Sequence, residues 1–295
     1  MVRSDETPDD VAPRAKALMV HERLCETYGC PIPYFHSLDP LSELISSILS
    51  HRTRNADSGR AFKALRAAYA DWATVRDAPT LDVERAIGAV TWPEQKAPRI
   101  QRILQEITSR RGELSLAFLG DMDVPGARAW LETLPGVGPK TSAAVLSFST
   151  LRKAALPVDS HHHRVAVRLA LIPADVPVGP SHVLLAAQLP ADWSAQQVYD
   201  NHEVMMLHGQ RCCFHANPAC ERCPVLDLCP TGQARQTLTA ATNRARDRGR
   251  GERAPKQPTE TIEKPVEPPP AATPPQRQRR ASGEASREDR QGWLF

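Results

Sequence analysis

Apolar residues recur at three- and four-residue spacing over most of the first 210 residues, which is the period of an amphipathic helix. The clearest examples are LSELISSILS from Leu41, APRIQRILQEI from Ala97 and TSAAVLSF from Thr141. Turn signals such as Asp39-Pro40 and Gly112 separate these segments. The strict alternation that is typical of strands is hard to find. We therefore predict an all-α protein.

The pattern stops near the carboxyl end. Residues 233–295 are rich in Pro, Arg, Glu and Gln and poor in large apolar side chains. Such a segment cannot bury enough surface to offset the entropy of ordering it, so we predict a disordered tail. Residues 1–12 are acidic and punctuated by proline, and we expect them to be disordered as well.

The net charge of the chain does not indicate a nucleic-acid partner. The chain has a net charge of +3, but residues 239–295 alone contain 12 Lys and Arg against 8 Asp and Glu, so the rest of the chain is close to neutral. A basic domain would indicate nucleic acid, and this composition does not. Any DNA-binding function must therefore be argued from local motifs.

The most informative motif is LPGVGPKTSAAVL, Leu134 to Leu146. A short helix, a glycine-rich turn and a longer helix form a helix–hairpin–helix, in which Gly136 and Gly138 permit positive φ and Val137 packs between the helices. The N–H groups of such a turn, with those of the helix that follows, make a site for a phosphate. The alternative is a glycine-rich turn between two core helices.

Four cysteines indicate a metal centre. Cys213, Cys220, Cys223 and Cys229 are spaced C-x6-C-x2-C-x5-C within 17 residues. Thiolates are the ligands of iron–sulfur clusters, whereas zinc sites usually have two close cysteine pairs. We interpret the neighbouring Cys212 as a spare thiol. The remaining cysteines, Cys25 and Cys30, are expected to be reduced and to pack as small apolar residues.

Together these motifs resemble the endonuclease III branch of the helix–hairpin–helix DNA glycosylases. LPGVGPKTSAAVL, PVDSHHHRV and the four cysteines occur in the family's order and at nearly its separations, and ILSHRTRN and His208-Gly209 are also similar. The resemblance covers about residues 12–232. It implies a six-helix lobe with the hairpin at residues 41–152, and a discontinuous lobe with a [4Fe-4S] cluster at 13–40 plus 153–232.

The resemblance also implies a chemistry. The family removes damaged bases from duplex DNA, commonly oxidised pyrimidines, by base flipping, and cleaves the abasic site by β-elimination. Lys140 matches its Schiff-base lysine and Asp159 its aspartate. Two alternatives stay open: an adenine-type mismatch glycosylase without lyase activity, and a non-catalytic iron–sulfur protein that recognises abasic or distorted DNA. The expected DNA-binding residues are Leu134, Pro135, Gly136, Val137, Gly138, Arg52, Trp92 and His161.

Physical chemistry supports these two roles. A nucleophilic lysine must be neutral, and burial and a helix N-terminus both lower a lysine pKa, as expected at Lys140. Asp159 has a simpler alternative role as the N-cap of the helix that follows.

Three consecutive histidines come next, His161, His162 and His163. We expect them to be solvated or to face phosphate, since consecutive helical residues point in different directions.

Two residues depart from the family pattern. Arg52 stands where glutamine commonly fills the gap left by the flipped base, and Trp92 replaces an aliphatic wedge. Both side chains can still plug or intercalate. The range of substrates is therefore expected to differ from that of the family.

The last five residues, QGWLF, end a polar tail with large apolar side chains, which usually serve a partner. The string resembles peptides that bind the bacterial sliding clamp, with Gln291, Leu294 and Phe295 as the contact residues. The alternative is an accidental hydrophobic terminus.

We find no apolar run long enough for a membrane span or a signal peptide. We therefore expect a monomer that acts on the nucleoid in the cytoplasm.

Overall fold

The computed structural model describes the backbone of residues 8–251 and the side chains of residues 13–242. Within that part the chain is all-helical, as predicted, and contains no strand. Three short 3-10 helices connect the longer elements, at Ala117–Gly120, Cys220–Arg222 and Leu226–Leu228. The α-helices are α1 Pro8–Tyr28, α2 Pro40–Ser50, α3 Asn55–Ala68, α4 Trp72–Asp77, α5 Thr80–Ala86, α6 Pro93–Arg111, α7 Val124–Glu132, α8 Pro139–Phe148, α9 Ser160–Arg168, α10 Val178–Ala186, α11 Ala195–Arg211 and α12 Pro230–Gly251.

Both ends of the described region differ from the predicted boundaries. Helix α1 begins at Pro8, inside the segment expected to be disordered, and α12 continues through residues that were assigned to the tail. The start of α12 is anchored, because the Gln233 side chain donates to the Asp227 carbonyl over 2.7 Å. The proposed clamp-binding residues lie outside the described residues.

A first hydrophobic core is built from α2 to α8. Helix α2 begins at Pro40, and the Asp39 carboxylate accepts from the backbone N–H groups of Leu41 and Ser42, which are otherwise unpaired at a helix start. Ile45 and Ile48 are fully buried. Burying a side chain of that size contributes about 1.5–3 kcal/mol.

A second core joins α1, α9, α10, α11 and the cysteine-rich loop. Helices α9 and α11 approach closely at Gly209, where a Cβ would lie 2.8 Å from the His161 Cβ. This contact explains the glycine of the His208-Gly209 pair.

The two cores meet at an aromatic junction between α8 and α11. Phe148 and Tyr199 pack edge to face with their ring centroids 5.7 Å apart, and Tyr34 lies on the Tyr199 ring at 4.1 Å. Arg152 closes this junction: its guanidinium lies 3.5 Å from the Tyr34 ring centre and donates to the carbonyl of Phe148. The junction fixes the carboxyl-terminal end of α8 relative to α11.

No helix in residues 8–251 combines the length and apolar character that a bilayer crossing requires.

Candidate active site and cysteine cluster

The turn between α7 and α8 carries the glycine-rich motif. Leu134 and Val137 are buried in the first core, which confirms the packing predicted for Val137. Gly136 has a φ of +79°, and a Cβ there would stand 2.7 Å from the Arg99 Cδ, so glycine is required. Gly138 has a φ of −110°, so the positive φ predicted for it is wrong. One left-handed residue is enough to close this turn.

The start of α8 has no side-chain cap. Gly138 occupies the N-cap position, and Pro139 follows at the first helical position. The first N–H groups of a helix have no partner within it, and the helix dipole favours an anion there. This helix start can therefore accept an external anion.

Lys140 lies in this uncapped first turn and is half-buried. Its Nζ is 6.0 Å from the centre of the Phe148 ring, one end of the aromatic junction. Lys140 interacts electrostatically with His202 and Glu203, both of which lie on α11. Lys140 is therefore near the part of α11 that carries His202 and Glu203.

Asp159 caps α9, which confirms the simpler role considered for it. Its Oδ1 accepts from the backbone N–H of His162 over 2.7 Å. Burial opposes ionisation, but His202 and the hydrogen bond from His162 outweigh it and lower the pKa of Asp159 below its ordinary value. The carboxylate also interacts with Glu203, so it shares two α11 neighbours with Lys140. Asp159 thus caps α9 and faces the same two α11 residues as the lysine.

Glu203 is a site residue that no sequence motif indicates. This carboxyl is 8% exposed, and burial and the nearby Asp159 raise its pKa to about 7, although Lys140 opposes that shift. Glu203 therefore changes charge near neutral pH. Its position in the middle of an amphipathic helix resembles that of any surface glutamate, so no local signal identifies it.

The prediction for the three histidines is wrong for His162. His162 is buried, and its ring stacks on that of His202 with centroids 5.8 Å apart. Burial lowers the pKa of His162 to about 3 and that of His202 to about 4. His161 is half-buried, and its Nδ1 lies 3.1 Å from the Arg164 guanidinium. The middle histidine points inward because α9 lies against α11.

Arg52 and Trp92 lie in two neighbouring loops. Both have left-handed backbone, with φ of 52° and 55°, and the Arg52 Cζ is 5.9 Å from the Trp92 ring centre. Trp92 is 45% exposed, which argues against a core role. The loops are linked, since Thr91 N–H donates to Thr53 Oγ1 over 3.1 Å. Their side chains are close enough to act as a pair.

Helix α9 begins after Asp159 and contacts the cysteine-rich loop, residues 212–229, through two arginines. Arg164 donates to the carbonyl of Gly209 over 2.8 Å, and Arg168 to those of Phe214 and His215, each over 2.7 Å. These bonds hold the start of the cysteine loop against α9.

The four predicted ligands are free thiols, and three of them, Cys213, Cys223 and Cys229, lie close to nitrogen atoms that can donate a hydrogen bond. Arg168 donates to Cys213 Sγ and Gly232 N–H to Cys229 Sγ, each over 3.3 Å. His208 Nε2 lies 3.6 Å from Cys223 Sγ, and Tyr28 hydroxyl holds the other ring nitrogen at 3.1 Å. Donors of this kind stabilise sulfur ligands and tune cluster potentials.

The electrostatics of these thiols also fit a metal centre. Burial raises the pKa of Cys223 to about 12, and it raises that of Cys229 as well. Buried thiols form thiolates readily only beside a cation. Cys212, His208 and Cys223 place their ligand atoms within 4.8 Å of one another, so the thiol interpreted as spare lies beside a predicted ligand.

The expectation for Cys25 and Cys30 is wrong. The two residues are joined by a disulfide, and neither is fully buried. They lie five residues apart at the end of α1, where Gly29 with its φ of +84° turns the chain back. The short loop brings the two sulfurs together, which the sequence interval alone did not indicate.

No protein-family model matches the chain. Among solved structures, a non-covalent endonuclease III–DNA complex has a TM-score of 0.65 at 24% identity and covers 76% of this chain and 98% of that one. A thermostable thymine-DNA glycosylase has a TM-score of 0.61 at 21% identity, with 76% and 99% covered. The fold is therefore that of the helix–hairpin–helix DNA glycosylases.

Sequence relatives are more specific. Endonuclease III of Thermotoga maritima is 32% identical over 192 residues, which cover 65% of this chain and 83% of that protein. Endonuclease III of Synechocystis is 26% identical over 217 residues, 74% and 91% of the two chains. An Arabidopsis thaliana protein provisionally named a DNA glycosylase is 31% identical, and the match spans only 57% of its length. The chain belongs to the endonuclease III family.

Proposed function

We propose that this protein is a base-excision DNA glycosylase with abasic-site lyase activity. One observation carries the proposal: Lys140 and Asp159, at the starts of two helices, share His202 and Glu203 as electrostatic neighbours. A nucleophilic amine and a carboxylate are the pair that a glycosylase with lyase activity uses to displace a base from deoxyribose. Both residues also match the motif of the family to which the chain belongs.

In the proposed mechanism the Lys140 Nζ lone pair forms a bond to C1′ of the sugar as the bond from C1′ to the base breaks. The base leaves with the bonding electrons and is then protonated. The carboxylate of Asp159 stabilises the positive charge that develops on the sugar. The depressed pKa of Asp159 supports this role, because it keeps the carboxylate ionised at neutral pH.

The same adduct accounts for the lyase step. When the sugar ring opens, the bond between Lys140 and C1′ becomes an imine. A base removes a proton from C2′, the bond from C3′ to its phosphate oxygen breaks, and the 3′ phosphate leaves. An imine in place of an aldehyde acidifies the C2′ proton, which is why an amine nucleophile adds lyase activity to base release.

Two features support binding to duplex DNA. The uncapped start of α8 can hold one phosphate through its N–H groups. Arg52 and Trp92 are close together on exposed loops and can fill the space that a flipped base leaves. Oxidised pyrimidines are the substrate class we propose.

We propose that Cys213, Cys220, Cys223 and Cys229 hold a [4Fe-4S] cluster. The cluster would offset part of the charge of the four thiolates and stabilise the loop between α11 and α12. The N–H donors at Cys213 and Cys229 are consistent with sulfur ligands to iron. Anaerobically purified protein should then contain about four irons per chain, and stoichiometric zinc without iron would contradict the proposal.

Borohydride trapping tests the catalytic assignment. Wild-type protein incubated with abasic duplex and borohydride should become covalently attached to DNA, and Lys140→Gln should abolish attachment while leaving DNA affinity largely intact. The exposed Lys63→Gln is the matched control and should be trapped normally. Undiminished trapping of Lys140→Gln would reject the role of the lysine.

The same assays separate the alternatives. Base release from an adenine mismatch without trapping would identify an adenine-type glycosylase. Tight binding to abasic DNA with neither base release nor trapping would identify a non-catalytic binder.

We also propose that the tail binds the sliding clamp through Gln291, Leu294 and Phe295. A short segment that orders on binding should have micromolar affinity. A fluorescent peptide of residues 286–295 titrated with clamp from the same organism tests this. No binding at high micromolar clamp would reject it.

A further inference from the structure

His51, at the end of α2, contacts the helix that carries the candidate nucleophile. Its Nε2 lies 2.9 Å from Thr141 Oγ1, although the two residues are 90 positions apart. Thr141 directly follows Lys140 and is only 3% exposed, whereas His51 is half-buried. One edge of the imidazole is therefore fixed beside the lysine, and part of the ring remains accessible.

The backbone of His51 is held by a buried lysine. Lys96 is 3% exposed, and its Nζ donates to the carbonyls of Leu49 over 2.7 Å and His51 over 2.8 Å, and to Thr53 Oγ1 over 2.9 Å. These bonds use all three ammonium donors. The histidine is thus positioned before any ligand arrives, which reduces the entropy lost when the ligand binds.

The ring is neutral at physiological pH. Burial and three nearby cations, Lys140, Lys96 and Arg99, lower the pKa of His51 to about 4. A neutral imidazole has one nitrogen that donates and one that accepts. The side chain can therefore act as a hydrogen-bonding group without adding charge.

Thr141 sets which nitrogen donates. Its buried hydroxyl proton needs an acceptor, and in the described part of the chain Oγ1 has its hydrogen bond with His51 Nε2. The hydroxyl therefore donates to Nε2, so Nδ1 carries the ring proton. Among the described residues Nδ1 has no hydrogen-bond partner. It is a positioned donor that awaits an acceptor.

We propose that His51 Nδ1 donates a hydrogen bond to a carbonyl oxygen of the extruded base and so helps to select which damaged base is excised. The inference rests on the proposed function, because the base to be released is attached to the carbon that Lys140 attacks. His51 contacts Thr141, the residue that follows Lys140, and it precedes Arg52 in the chain, so its donor is close to both the candidate nucleophile and the residue proposed to fill the gap. Oxidised pyrimidines carry carbonyl oxygens that suit such a donor.

The test compares two activities of the same preparation. One substrate is a duplex with a single thymine glycol, and the other is the same duplex with a preformed abasic site, which has no base to contact. Losing a hydrogen bond to the base should cost about tenfold or more. His51→Leu should therefore lower the ratio of base release to abasic cleavage by at least about tenfold. His51→Gln retains a side-chain N–H donor and should recover part of that loss.

Thr141→Val provides a second measurement, since it leaves the imidazole in place but removes the hydroxyl that orients it. The ratio should then fall, by less than in His51→Leu. Melting temperatures of all variants establish that each is folded.

Equal losses of base release and abasic cleavage in His51→Leu would overturn the inference, because the histidine would then act on Lys140 through Thr141. Wild-type rates on both substrates would overturn it as well. A wild-type protein that cleaves neither substrate would instead reject the proposed function, so the two failures are distinguishable.

Discussion

Helices α8 and α9 begin near the same group of α11 side chains, and their starts are opposite in character. Helix α9 begins with Asp159, whose carboxylate accepts from an N–H group of the first turn. Helix α8 begins with Gly138 and Pro139, followed by a cation, and has no side-chain cap. One start supplies its own anion and the other leaves that place open. The difference is consistent with the proposed function, in which α9 contributes a fixed negative charge and α8 receives one from a DNA phosphate.

The largest effect is expected when the fixed charge of α9 is removed. Asparagine caps a helix about as well as aspartate, so Asp159→Asn should leave stability within about 0.5 kcal/mol. Base release should nevertheless fall by about 100-fold or more, because the charge that stabilises the developing cation is lost. Single-turnover kinetics on a lesion duplex and thermal unfolding measure the two quantities. A wild-type rate would reduce Asp159 to a structural cap.

Glu203, the carboxyl beside both helix starts, should show the next largest effect. Its pKa is about 7 in the folded protein, above the ordinary value of 4.5. The folded state therefore binds the proton more tightly, and stability is lost as pH rises from about 4.5 to about 7. Glu203→Gln should be more stable than wild type at pH 8 by about 2–3 kcal/mol, and little different near pH 4.5.

Urea unfolding at both pH values measures this difference. The exposed Glu113→Gln is the control and should show no pH-dependent gain. A gain of equal size at both pH values would contradict a titrating Glu203.

A carboxylate at the N-cap of α8 should remove the difference between the helix starts of α8 and α9, because both would then carry their own anion. Gly138 tolerates a side chain, since its φ is −110° and a Cβ there would meet nothing within 4 Å. Gly138→Asp should stabilise the protein by a few tenths of a kcal/mol. It should weaken DNA binding about tenfold and flatten the salt dependence by about one phosphate contact.

Gly138→Asn is the matched control, because it caps the helix without adding charge. Affinity titrations at several salt concentrations separate the two variants. Equal loss of affinity in both would show that the side chain obstructs DNA sterically.

The smallest effect is expected from His162. The bond that holds Asp159 comes from the backbone N–H of His162, so the imidazole is not needed for it. Its buried Nδ1 has no hydrogen-bond partner within the described residues. His162→Leu should therefore raise stability by about 1 kcal/mol and change base release by less than about threefold. A loss as large as that of Asp159→Asn would place His162 in the chemistry.

Local motifs were predictable from the sequence and distant contacts were not. The hairpin and the spacing of the four cysteines each lie within a short run of residues, so pattern alone indicates the structure. The contact between His51 and Thr141 joins residues 90 positions apart, and the position of Glu203 depends on how α11 lies against α8 and α9. The inward direction of His162 has the same origin.

Backbone conformation and the disulfide were also not predictable from the sequence pattern. Two glycines in one turn both suggested left-handed backbone, yet Gly136 alone adopts it. The disulfide between Cys25 and Cys30 depends on how the chain turns back after α1, and the redox argument used against disulfides does not address that geometry.

Through the hydrogen bonds of Arg164 and Arg168, α9 connects the candidate catalytic residue Asp159 to the cysteine-rich loop. Nine residues span about 13 Å, with the carboxylate of Asp159 at one end, Arg164, which donates to Gly209, at the middle, and Arg168, which donates to Phe214 and His215, at the other end. A tilt of the cysteine loop would therefore move the carboxylate relative to the sugar. We therefore expect oxidative damage to that loop to slow base removal through Asp159, while the hairpin keeps its affinity for DNA.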